Sequence, residues 1–530
     1  MANDPETSSA RRTGLPIGEL DTLQEMTARL GEHGERPALI TFRREGPVQW
    51  TYAELSAEVD AAARGLAARG VEPGDRVALL AEDSPRWIIG FLAALRRGAV
   101  VMPVDSQMDE RNLAHVLEDG DPRLVLTSRA LAERIEGLEG DTPDLLVLDA
   151  DDGEDGERGW AALTGDGGGE IEGRRGRDEA AALFYTSGTT GAPKGVPLNS
   201  ENLLYQLDAL AAAGIVGAED RVLLPLPLHH VYPVVMGLLA PMAFGLPVIL
   251  PKALTGPQVL TALREGHATV VIGVPRLYQS LVDNIERQAR GGGRLAYGAY
   301  RLAVRVSAAV LRVTGARVGR RLLSRVHREM GPELRLLASG GSPLDPELAR
   351  RLEALGWRVG VGYGLTETSP LVTLNRPEEF DPDSVGKPIP GTEVRVDRNA
   401  GREGDEEAEG EPQAPDPTAE PGVEGEIIAR GPGVFAGYRQ LPEKTEEALV
   451  DGWYRTGDLG RFDGEGRLQV RGRRSTLLVT PGGENVQPDQ VEEAYAASPV
   501  VREVGVLQSD GDLVALVVPD PKALREHADD

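Results

Sequence analysis

The sequence contains no cysteine in 530 residues, which excludes disulfides, thiolate metal sites and an acyl-cysteine intermediate. Any thioester chemistry must therefore use a thiol that a substrate carries. Aromatic residues make up only 4% of the chain, and lysine occurs just five times, at Lys194, Lys252, Lys387, Lys444 and Lys522. A lysine inside a polar motif is for that reason a strong candidate for a functional cation.

The chain is strongly acidic, because it has 57 Lys and Arg residues against 84 Asp and Glu residues, which gives a net charge of −27. A field of this sign repels nucleic acid, which we do not expect as a partner. Residues 287–328 are the exception, with eleven arginines and no acidic residue. Arg301, Arg305 and Arg312 share one helical face there. This basic amphipathic pattern suits an anionic membrane surface or phosphates, and a solvated helix packed on its own domain is the open alternative.

One uncharged run, residues 222–251, is long enough to cross a bilayer, but six prolines and two glycines interrupt it. A helix broken so often would leave backbone groups unpaired in lipid. The run therefore predicts buried strand, loop and helix. The first twenty residues lack the apolar core of a signal peptide, so we expect a cytoplasmic protein.

Short apolar runs alternate with amphipathic helical patterns over the first 150 residues. Thr51 and Glu54 have the spacing of a capping box at a helix start, and residues 87–95 predict another helix. The alternation predicts a parallel α/β sheet. Four apolar runs are predicted as its buried strands: 77–80, 100–102, 123–126 and 145–148.

Two stretches break this pattern. Residues 149–179 are rich in Gly, Asp and Glu and predict a surface linker. The stretch near 400–424 predicts a disordered loop, because ten acidic residues and no basic one lie between Glu403 and Glu426. The strand-like segments on either side of it, 393–396 and 425–428, predict a hairpin.

The strongest local motif runs from Tyr185 to Gly195. Its glycines let backbone amides approach an anion, its hydroxyls donate hydrogen bonds, and Lys194 supplies a charge, so it predicts a phosphate-binding loop. It lacks the Gly-Lys-Ser/Thr ending of a Walker loop. The candidate ligand-binding residues are Thr186, Ser187, Gly188, Thr189, Thr190 and Gly191.

This loop resembles the signature of the adenylate-forming superfamily, which includes acyl-CoA synthetases, peptide-synthetase adenylation domains and luciferases. Five more segments resemble the family's motifs, in the family's order. They are Leu226–Tyr232 (histidine motif), Ser339–Leu344 (nucleotide-binding turn), Gly362–Thr368 (adenine motif), Trp453–Asp458 (ribose motif) and Gly472–Val486 (hinge region). The likeness extends from about residue 20 to residue 519.

The resemblance implies a role for each motif. Tyr363 stacks on adenine, Thr366 contacts the α-phosphate, and Glu367 holds Mg²⁺, which prefers carboxylate and phosphate oxygens. Asp458 accepts from the ribose hydroxyls, and Arg473 adds positive charge nearby. The predicted catalytic residues are Lys194, His230, Thr366 and Glu367, and the predicted nucleotide site also includes Gly341, Ser342, Gly362 and Gly364. A packed core histidine is the alternative for His230.

The implied substrates are ATP, coenzyme A and a fatty acid or other carboxylic acid. The acid attacks the α-phosphate and expels pyrophosphate, and the thiol then attacks the acyl-AMP and releases AMP. Two positions depart from the family. Thr476 stands where its hinge has Asp or Lys, and no Gly-Lys pair follows Pro519, since Lys522 lacks that context. From this we expect ATP binding with weak acyl-AMP formation, unless the natural protein continues past Asp530.

We therefore expect an α/β protein with a tail at 1–19, an adenylation domain at 20–472 and an incomplete α+β domain at 473–530. The large domain should contain two sheet-and-helix subdomains and a small β-rich one. The predicted function is medium- or long-chain fatty acyl-CoA synthetase in the cytoplasm, at the inner face of the membrane. Two alternatives stay open: an acyl-AMP ligase that loads a carrier protein, and a non-catalytic nucleotide- or acyl-binding protein.

Overall fold

The computed structural model describes residues 14–138, 143–150, 158–164, 171, 173–186, 192–399, 414–474, 478–479, 485–486, 491–492, 495, 498, 500–509, 512–519 and 524. The chain divides into two compact units, one of Met1–Thr392 with Gly431–Glu446 and one of Glu393–Arg430 with Glu447–Asp530. The boundary predicted between residues 472 and 473 falls inside a strand, Leu468–Arg473. That residues 473–530 form a domain of their own stays a prediction.

The α-helices of the described part are α1 (Leu23–Ala28), α2 (Tyr52–Ala68), α3 (Pro85–Arg97), α4 (Glu110–Gly120), α5 (Arg129–Glu136), α6 (Trp160–Thr164), α7 (Ser200–Ala213), α8 (Ala240–Phe244), α9 (Gly256–Glu265), α10 (Pro275–Gly291), α11 (Arg294–Thr314), α12 (Gly319–Leu322), α13 (Ser324–Met330), α14 (Pro346–Leu355) and α15 (Pro442–Ala448). Short 3₁₀ turns at Ile17–Glu19, Leu30–His33 and Thr366–Thr368 and a π-helix at Pro233–Leu239 complete the helical segments described.

The strands are β1 (Pro37–Arg43), β2 (Gly46–Thr51), β3 (Arg76–Leu80), β4 (Val100–Pro103), β5 (Leu124–Thr127), β6 (Asp144–Val147), β7 (Ala180–Thr186), β8 (Lys194–Asn199), β9 (Val222–Leu223), β10 (Val248–Ile249), β11 (Val270–Gly273), β12 (Leu336–Ser339), β13 (Arg358–Tyr363), β14 (Thr373–Asn375), β15 (Lys387–Pro388), β16 (Glu393–Asp397), β17 (Pro417–Thr418), β18 (Glu424–Arg430), β19 (Leu449–Val450), β20 (Trp453–Phe462), β21 (Leu468–Arg473), β22 (Leu478–Val479), β23 (Asn485–Val486), β24 (Val501–Ser509) and β25 (Asp512–Pro519).

The first unit contains two sheets on which helices pack. One has nine strands in the order β15-β14-β13-β12-β11-β9-β10-β1-β2, and the other has six in the order β6-β5-β3-β4-β7-β8. Strands β3 to β7 are parallel neighbours in the smaller sheet, and β9 to β13 are parallel in the larger one. The predicted α/β class is confirmed, and the four predicted buried strands are β3 to β6, each within one residue at either end.

Local signals explain where the first helices begin. Thr51 and Glu54 form the predicted capping box of α2, each side chain bonding the backbone N–H of the other. Ser84 accepts from the Trp87 N–H at the start of α3, and Gly98 ends that helix in the left-handed conformation. The α3 residues Trp87 and Phe91 are buried and stacked, with ring centroids 5.4 Å apart.

Two expectations need correction where residues are described. The predicted linker 149–179 contains helix α6, whose Trp160 and Leu163 are buried. Part of the predicted tail is packed too, since Leu15 and Ile17 are buried and the Leu15 N–H donates to the Ala243 carbonyl at 2.8 Å. In both segments a few apolar side chains among polar neighbours pack on a hydrophobic surface elsewhere in the unit. The composition of the segment alone does not reveal this packing.

The uncharged run 222–251 is confirmed as strand, π-helix, helix and strand. Its short strands β9 and β10 pair with each other inside the nine-stranded sheet. No helix in the described ranges is both long and apolar enough to cross a membrane.

The second unit is mainly β. Strands β16 and β18 pair antiparallel with Val396 opposite Ile427, so the predicted hairpin is confirmed. The short strand β17 pairs with β16, which corrects the expectation of disorder for that part of the acidic loop. Residues 400–413 of the loop lie outside the described residues. Strands β24 and β25 form an antiparallel pair.

Two glycine-to-alanine changes test the packing of α6 on α2. A Cβ on Gly65 would lie 1.8 Å from the Leu163 carbonyl oxygen, whereas one on Gly298 in α11 meets nothing within 4 Å. Replacing a helical glycine by alanine normally stabilises by about 1 kcal/mol. We expect Gly298→Ala to raise the melting temperature and Gly65→Ala to lower it, because α6 must move. Scanning calorimetry measures both, and shifts of the same sign would contradict this packing.

Candidate active site

Three neighbouring parallel strands end at one edge of the nine-stranded sheet. Strands β11, β12 and β13 are in register there, with Gly273 opposite Ser339 and Ser339 opposite Val361. Gly341 and Ser342 directly follow β12 and are exposed, while Gly362 and Tyr363 close β13 and are half-buried. The carboxyl edge of a parallel sheet is where α/β proteins bind ligands. The fold therefore brings the predicted nucleotide-binding turn and adenine motif together.

The histidine motif reaches the same edge. The Tyr232 hydroxyl lies 3.2 Å from the carbonyl oxygens of both Gly273 and Ala338. The His229 and His230 rings are in contact, with centroids 4.1 Å apart, and His230 is the more exposed of the two. The motif is thus fixed against the ends of β11 and β12, beside the predicted nucleotide-binding turn.

Both histidines are neutral at neutral pH. Desolvation, followed by the neighbouring His230, lowers the pKa of His229 to about 4, although Asp105 lies 3.9 Å away and opposes the shift. Surrounding protein also lowers the pKa of His230, even though part of its ring meets solvent. A neutral imidazole can both donate and accept a hydrogen bond, so His230 can bind a polar substrate group without adding charge.

An aspartate that sequence patterns did not single out holds this motif in place. Asp83 follows β3, and its carboxylate oxygens lie 3.2 and 3.3 Å from the Leu228 N–H. Burial raises the pKa of Asp83 to about 6, with a smaller contribution from Glu82, and the Leu228 hydrogen bond opposes the shift. Asp83 is therefore a positioning residue for the histidine motif.

The loop after β13 folds back on its own strand. A Cβ on Gly364 would lie 1.6 Å from the Pro370 carbonyl oxygen, so only glycine fits. Thr368 closes the turn by accepting from the Leu365 N–H at 2.9 Å and donating to the Pro370 carbonyl at 2.8 Å. This turn places Thr366 half-buried and Glu367 buried, next to the end of the strand.

Glu367 is joined to the predicted phosphate loop by Tyr438. The Glu367 carboxylate is 6% exposed and accepts a 2.8 Å hydrogen bond from the Tyr438 hydroxyl. The Lys194 ammonium lies 4.2 Å from the centroid of the Tyr438 ring, where the negative face of the ring attracts a cation. One tyrosine therefore contacts the predicted metal ligand with its hydroxyl and the predicted catalytic lysine with its ring.

The hairpin that carries the phosphate loop is held at its base. Thr186 of β7 lies opposite Lys194 of β8, so both ends of the loop are adjacent. The Tyr185 hydroxyl donates to Asp119 at 2.6 Å, and burial and this hydrogen bond raise the pKa of Tyr185. The Arg439 Nε donates to the Asp119 carbonyl at 2.7 Å. The predicted ligands Ser187, Gly188, Thr189, Thr190 and Gly191 lie outside the described residues.

Helix α7 fixes the backbone around Glu367. The buried Gln206 amide donates to the carbonyls of Thr368 and Leu371, both at 2.9 Å. Asn202 donates to the Pro432 carbonyl at 2.7 Å, and the Phe435 N–H donates to the Glu367 carbonyl at 2.9 Å. Both segments that meet at Glu367 are therefore tied to one helix.

The second unit holds the other two predicted residues. The Arg473 Nε donates to Asp458 Oδ1 at 2.8 Å, and the Asp458 N–H donates to the Thr456 hydroxyl at 3.0 Å. The structure thus pairs Asp458 with Arg473 across β20 and β21. Thr476 of the predicted hinge lies outside the described residues.

The donor set around Glu367 fits Mg²⁺ carried by a nucleotide. Within the described part of the chain, no group of three His, Asp or Glu side chains could enclose a metal ion. Mg²⁺ commonly takes one or two carboxylates and completes its shell with phosphate oxygens and water. A single buried carboxylate beside a phosphate-loop lysine provides the protein's share of such a shell.

The comparisons with known proteins agree with this fold. The model of the family "AMP-binding enzyme" matches residues 26–439. The chain is 30% identical over 532 residues to long-chain-fatty-acid–CoA ligase FadD15 of Mycobacterium bovis, covering 96% of this chain and 83% of that protein. It is 31% identical over 486 residues to feruloyl-CoA synthase of an Amycolatopsis species, covering 91% and 83%. ATP-bound MatB of Rhodopseudomonas palustris superposes with a TM-score of 0.73 at 27% identity, covering 94% and 89%.

The fold is that of an adenylate-forming enzyme. This chain belongs to the AMP-binding enzyme family, and the predicted resemblance is confirmed. Its relatives are acid–CoA ligases that differ in the acid named, so membership supports acid–CoA ligase activity and leaves the acid open.

Removing the Tyr438 hydroxyl tests whether it supports Glu367. Tyr438→Phe keeps the ring beside Lys194 but leaves the buried carboxylate without this donor, so we expect a loss of about 1–3 kcal/mol of stability. In a Glu367→Gln background the loss should shrink, because a neutral amide needs the donor less. Denaturation of the two single variants and the double variant measures the coupling. Tyr297→Phe, on the surface of α11, is the control, and equal losses in both backgrounds would contradict the proposed contact.

Asp83 predicts a pH-dependent stability difference. In the folded protein the pKa of Asp83 is about 6, above the usual value of 3.8. The wild type therefore loses stability as the pH rises from 3.8 to 6, and at higher pH it must keep a charged carboxylate buried. Asp83→Asn removes that loss, and we expect it to be more stable than wild type by roughly 1–3 kcal/mol at pH 8 and by about half as much at pH 5. Glu82→Gln removes an exposed neighbouring charge and should give a smaller effect. A difference independent of pH would contradict the buried-charge argument.

Proposed function

We propose that this chain is an ATP-dependent fatty acid–CoA ligase that acts on medium or long acyl chains. The observation that carries the adenylating part is the Lys194–Tyr438–Glu367 arrangement beside the ends of β12 and β13. The fatty acid part is supported by the likeness to FadD15 across 96% of this chain. The proposal includes ATP, coenzyme A and Mg²⁺, and a cytoplasmic location at the inner face of the membrane.

In this proposal each residue has a distinct task. Lys194 neutralises phosphate charge as the acid's carboxylate oxygen attacks the α-phosphorus and pyrophosphate leaves. Glu367 would hold Mg²⁺, which would supply stabilisation of the charge on phosphate oxygens, and Thr366 donates a hydroxyl hydrogen bond to the α-phosphate. His230, neutral at neutral pH, binds the acyl-carrying group as a hydrogen-bond partner. The thiol of coenzyme A then attacks the acyl carbon and AMP leaves.

In this proposal the remaining predicted residues bind the nucleoside. Tyr363 provides an aromatic face for adenine at the end of β13, with Gly341, Ser342, Gly362 and Gly364 offering backbone contacts. Asp458 accepts from the ribose hydroxyls, for which its pairing with Arg473 holds the carboxylate in one orientation. Losing such a charge-assisted contact costs about 1.5–3 kcal/mol, which is roughly a tenfold to hundredfold loss of rate.

A substrate panel tests the proposal. Pyrophosphate release and acyl-CoA formation are measured with octanoate, palmitate, ferulate and malonate, each with and without coenzyme A, and Asp458→Ala serves as the impaired control. We expect CoA-dependent thioester formation with the fatty acids. Preference for ferulate or malonate would overturn only the fatty acid part. Acyl-AMP that accumulates without transfer to coenzyme A would favour carrier loading, and no turnover by a folded protein would favour a binding protein.

A further inference from the structure

Helix α11 carries two rows of outward-facing side chains. The arginine row is Arg294, Arg301, Arg305 and Arg312, and the aliphatic row is Leu295, Leu302, Val306 and Val313. Members of both rows are spaced seven, four and seven residues apart, which returns each to the same side of a helix turning about 100° per residue. Each aliphatic residue follows an arginine by one position. The two rows therefore run side by side along the whole helix.

Both rows are exposed. Leu295 is 92% exposed and Val313 is 78% exposed, and the other two aliphatic residues of the row are also open to solvent. The opposite face of α11 packs on its own unit, because Ser307 is buried and Tyr300 and Val304 contact the core of the nine-stranded sheet. A single exposed leucine is ordinary in a soluble protein, whereas a row of four along one helix marks an interaction surface.

The arginine row forms no ion pairs among the described residues, although the Arg301 guanidinium lies 5.8 Å from the centroid of the Tyr297 ring. None of its four members has a carboxylate within ion-pair distance among the residues that the structure describes. Some exposed arginines elsewhere are paired, such as Arg325 with Glu329 at 2.8 Å and Arg358 with Glu378 at 3.0 Å. In a protein of net charge −27, a helix without acidic residues is available for an anionic partner.

We propose that this face of α11 docks the protein on an anionic phospholipid surface. Guanidinium groups bind lipid phosphates while their stems lie along the interface, and the aliphatic row enters the acyl boundary beside them. Nucleic acid offers phosphates but no apolar layer for the aliphatic row. A second copy using the same face would set arginine against arginine. The biological role of this docking rests on the proposed function, because long-chain acids partition into membranes and docking would bring the enzyme to them.

Vesicle binding by the full chain tests the proposal. Co-sedimentation with phosphatidylcholine vesicles, with and without phosphatidylglycerol, is measured at low and physiological ionic strength. We expect binding only to the anionic vesicles. Each arginine near such a surface contributes about fivefold in affinity, so R301Q/R305Q/R312Q should weaken binding by about a hundredfold. L295Q/V313Q should remove the binding that persists at physiological salt, because that part depends on apolar insertion.

A matched triple variant controls for total charge. R158Q/R177Q/R358Q removes the same charge from exposed arginines that pair with Glu136, Glu201 and Glu378, and it should bind like wild type. A loss in this control equal to that of the α11 variant would overturn the proposal, as would failure of the wild type to bind anionic vesicles at low salt. Self-association through α11 without lipid, or binding of duplex DNA that competes with vesicles, would replace it.

The readouts separate this proposal from the proposed function. Vesicle binding needs no substrate, so its result is independent of the result with the panel of carboxylic acids. If the ligase is active, the α11 variants should use octanoate in solution at the wild-type rate and lose rate only for acid supplied in anionic vesicles. An equal loss with both forms of acid would indicate a structural role for the arginines and overturn membrane docking.

Discussion

The Glu367 carboxylate is buried, and several contacts within the first unit compensate the cost of burying it. A buried charge costs several kcal/mol unless hydrogen bonds or an opposite charge compensate it. The Tyr438 hydroxyl gives the hydrogen bond, and the ring of the same tyrosine attracts the Lys194 ammonium. The Tyr438 side chain thus contacts both the Glu367 carboxylate and the Lys194 ammonium, which form no direct ion pair with each other.

This requirement explains the polar groups on helix α7. Buried helices are usually apolar, yet Asn202 and Gln206 are buried and donate to backbone carbonyls of two loops. Those loops meet at Glu367, where the Phe435 N–H bonds its carbonyl. Unsatisfied carbonyls beside a buried carboxylate would add to the cost of burying it, so the helix stabilises the site by closing these hydrogen bonds.

Arginine is used differently in the two parts of the first unit. At the site, Arg439 donates a hydrogen bond to the Asp119 carbonyl and so stabilises the base of the hairpin. Many surface arginines are paired with carboxylates. On α11 four arginines lie beside exposed aliphatic side chains without such partners in the described region. The protein is strongly acidic overall, and the local departure of this face from that acidity is the basis of the proposed docking on an anionic surface.

Sequence patterns alone predicted the strands β3 to β6 and the capping box at Thr51, because those features depend on neighbours close along the chain. The family resemblance singled out Tyr363 and Gly341, and the tertiary structure showed that the strands before them end at one sheet edge. The tertiary structure alone revealed Tyr438 and Asp83, whose partners lie 71 and 145 residues away. It also revealed α6, because Gly65 leaves space that no local pattern records. Contacts between distant segments depend on how the sheets pack, and neither periodicity nor motif spacing encodes that packing.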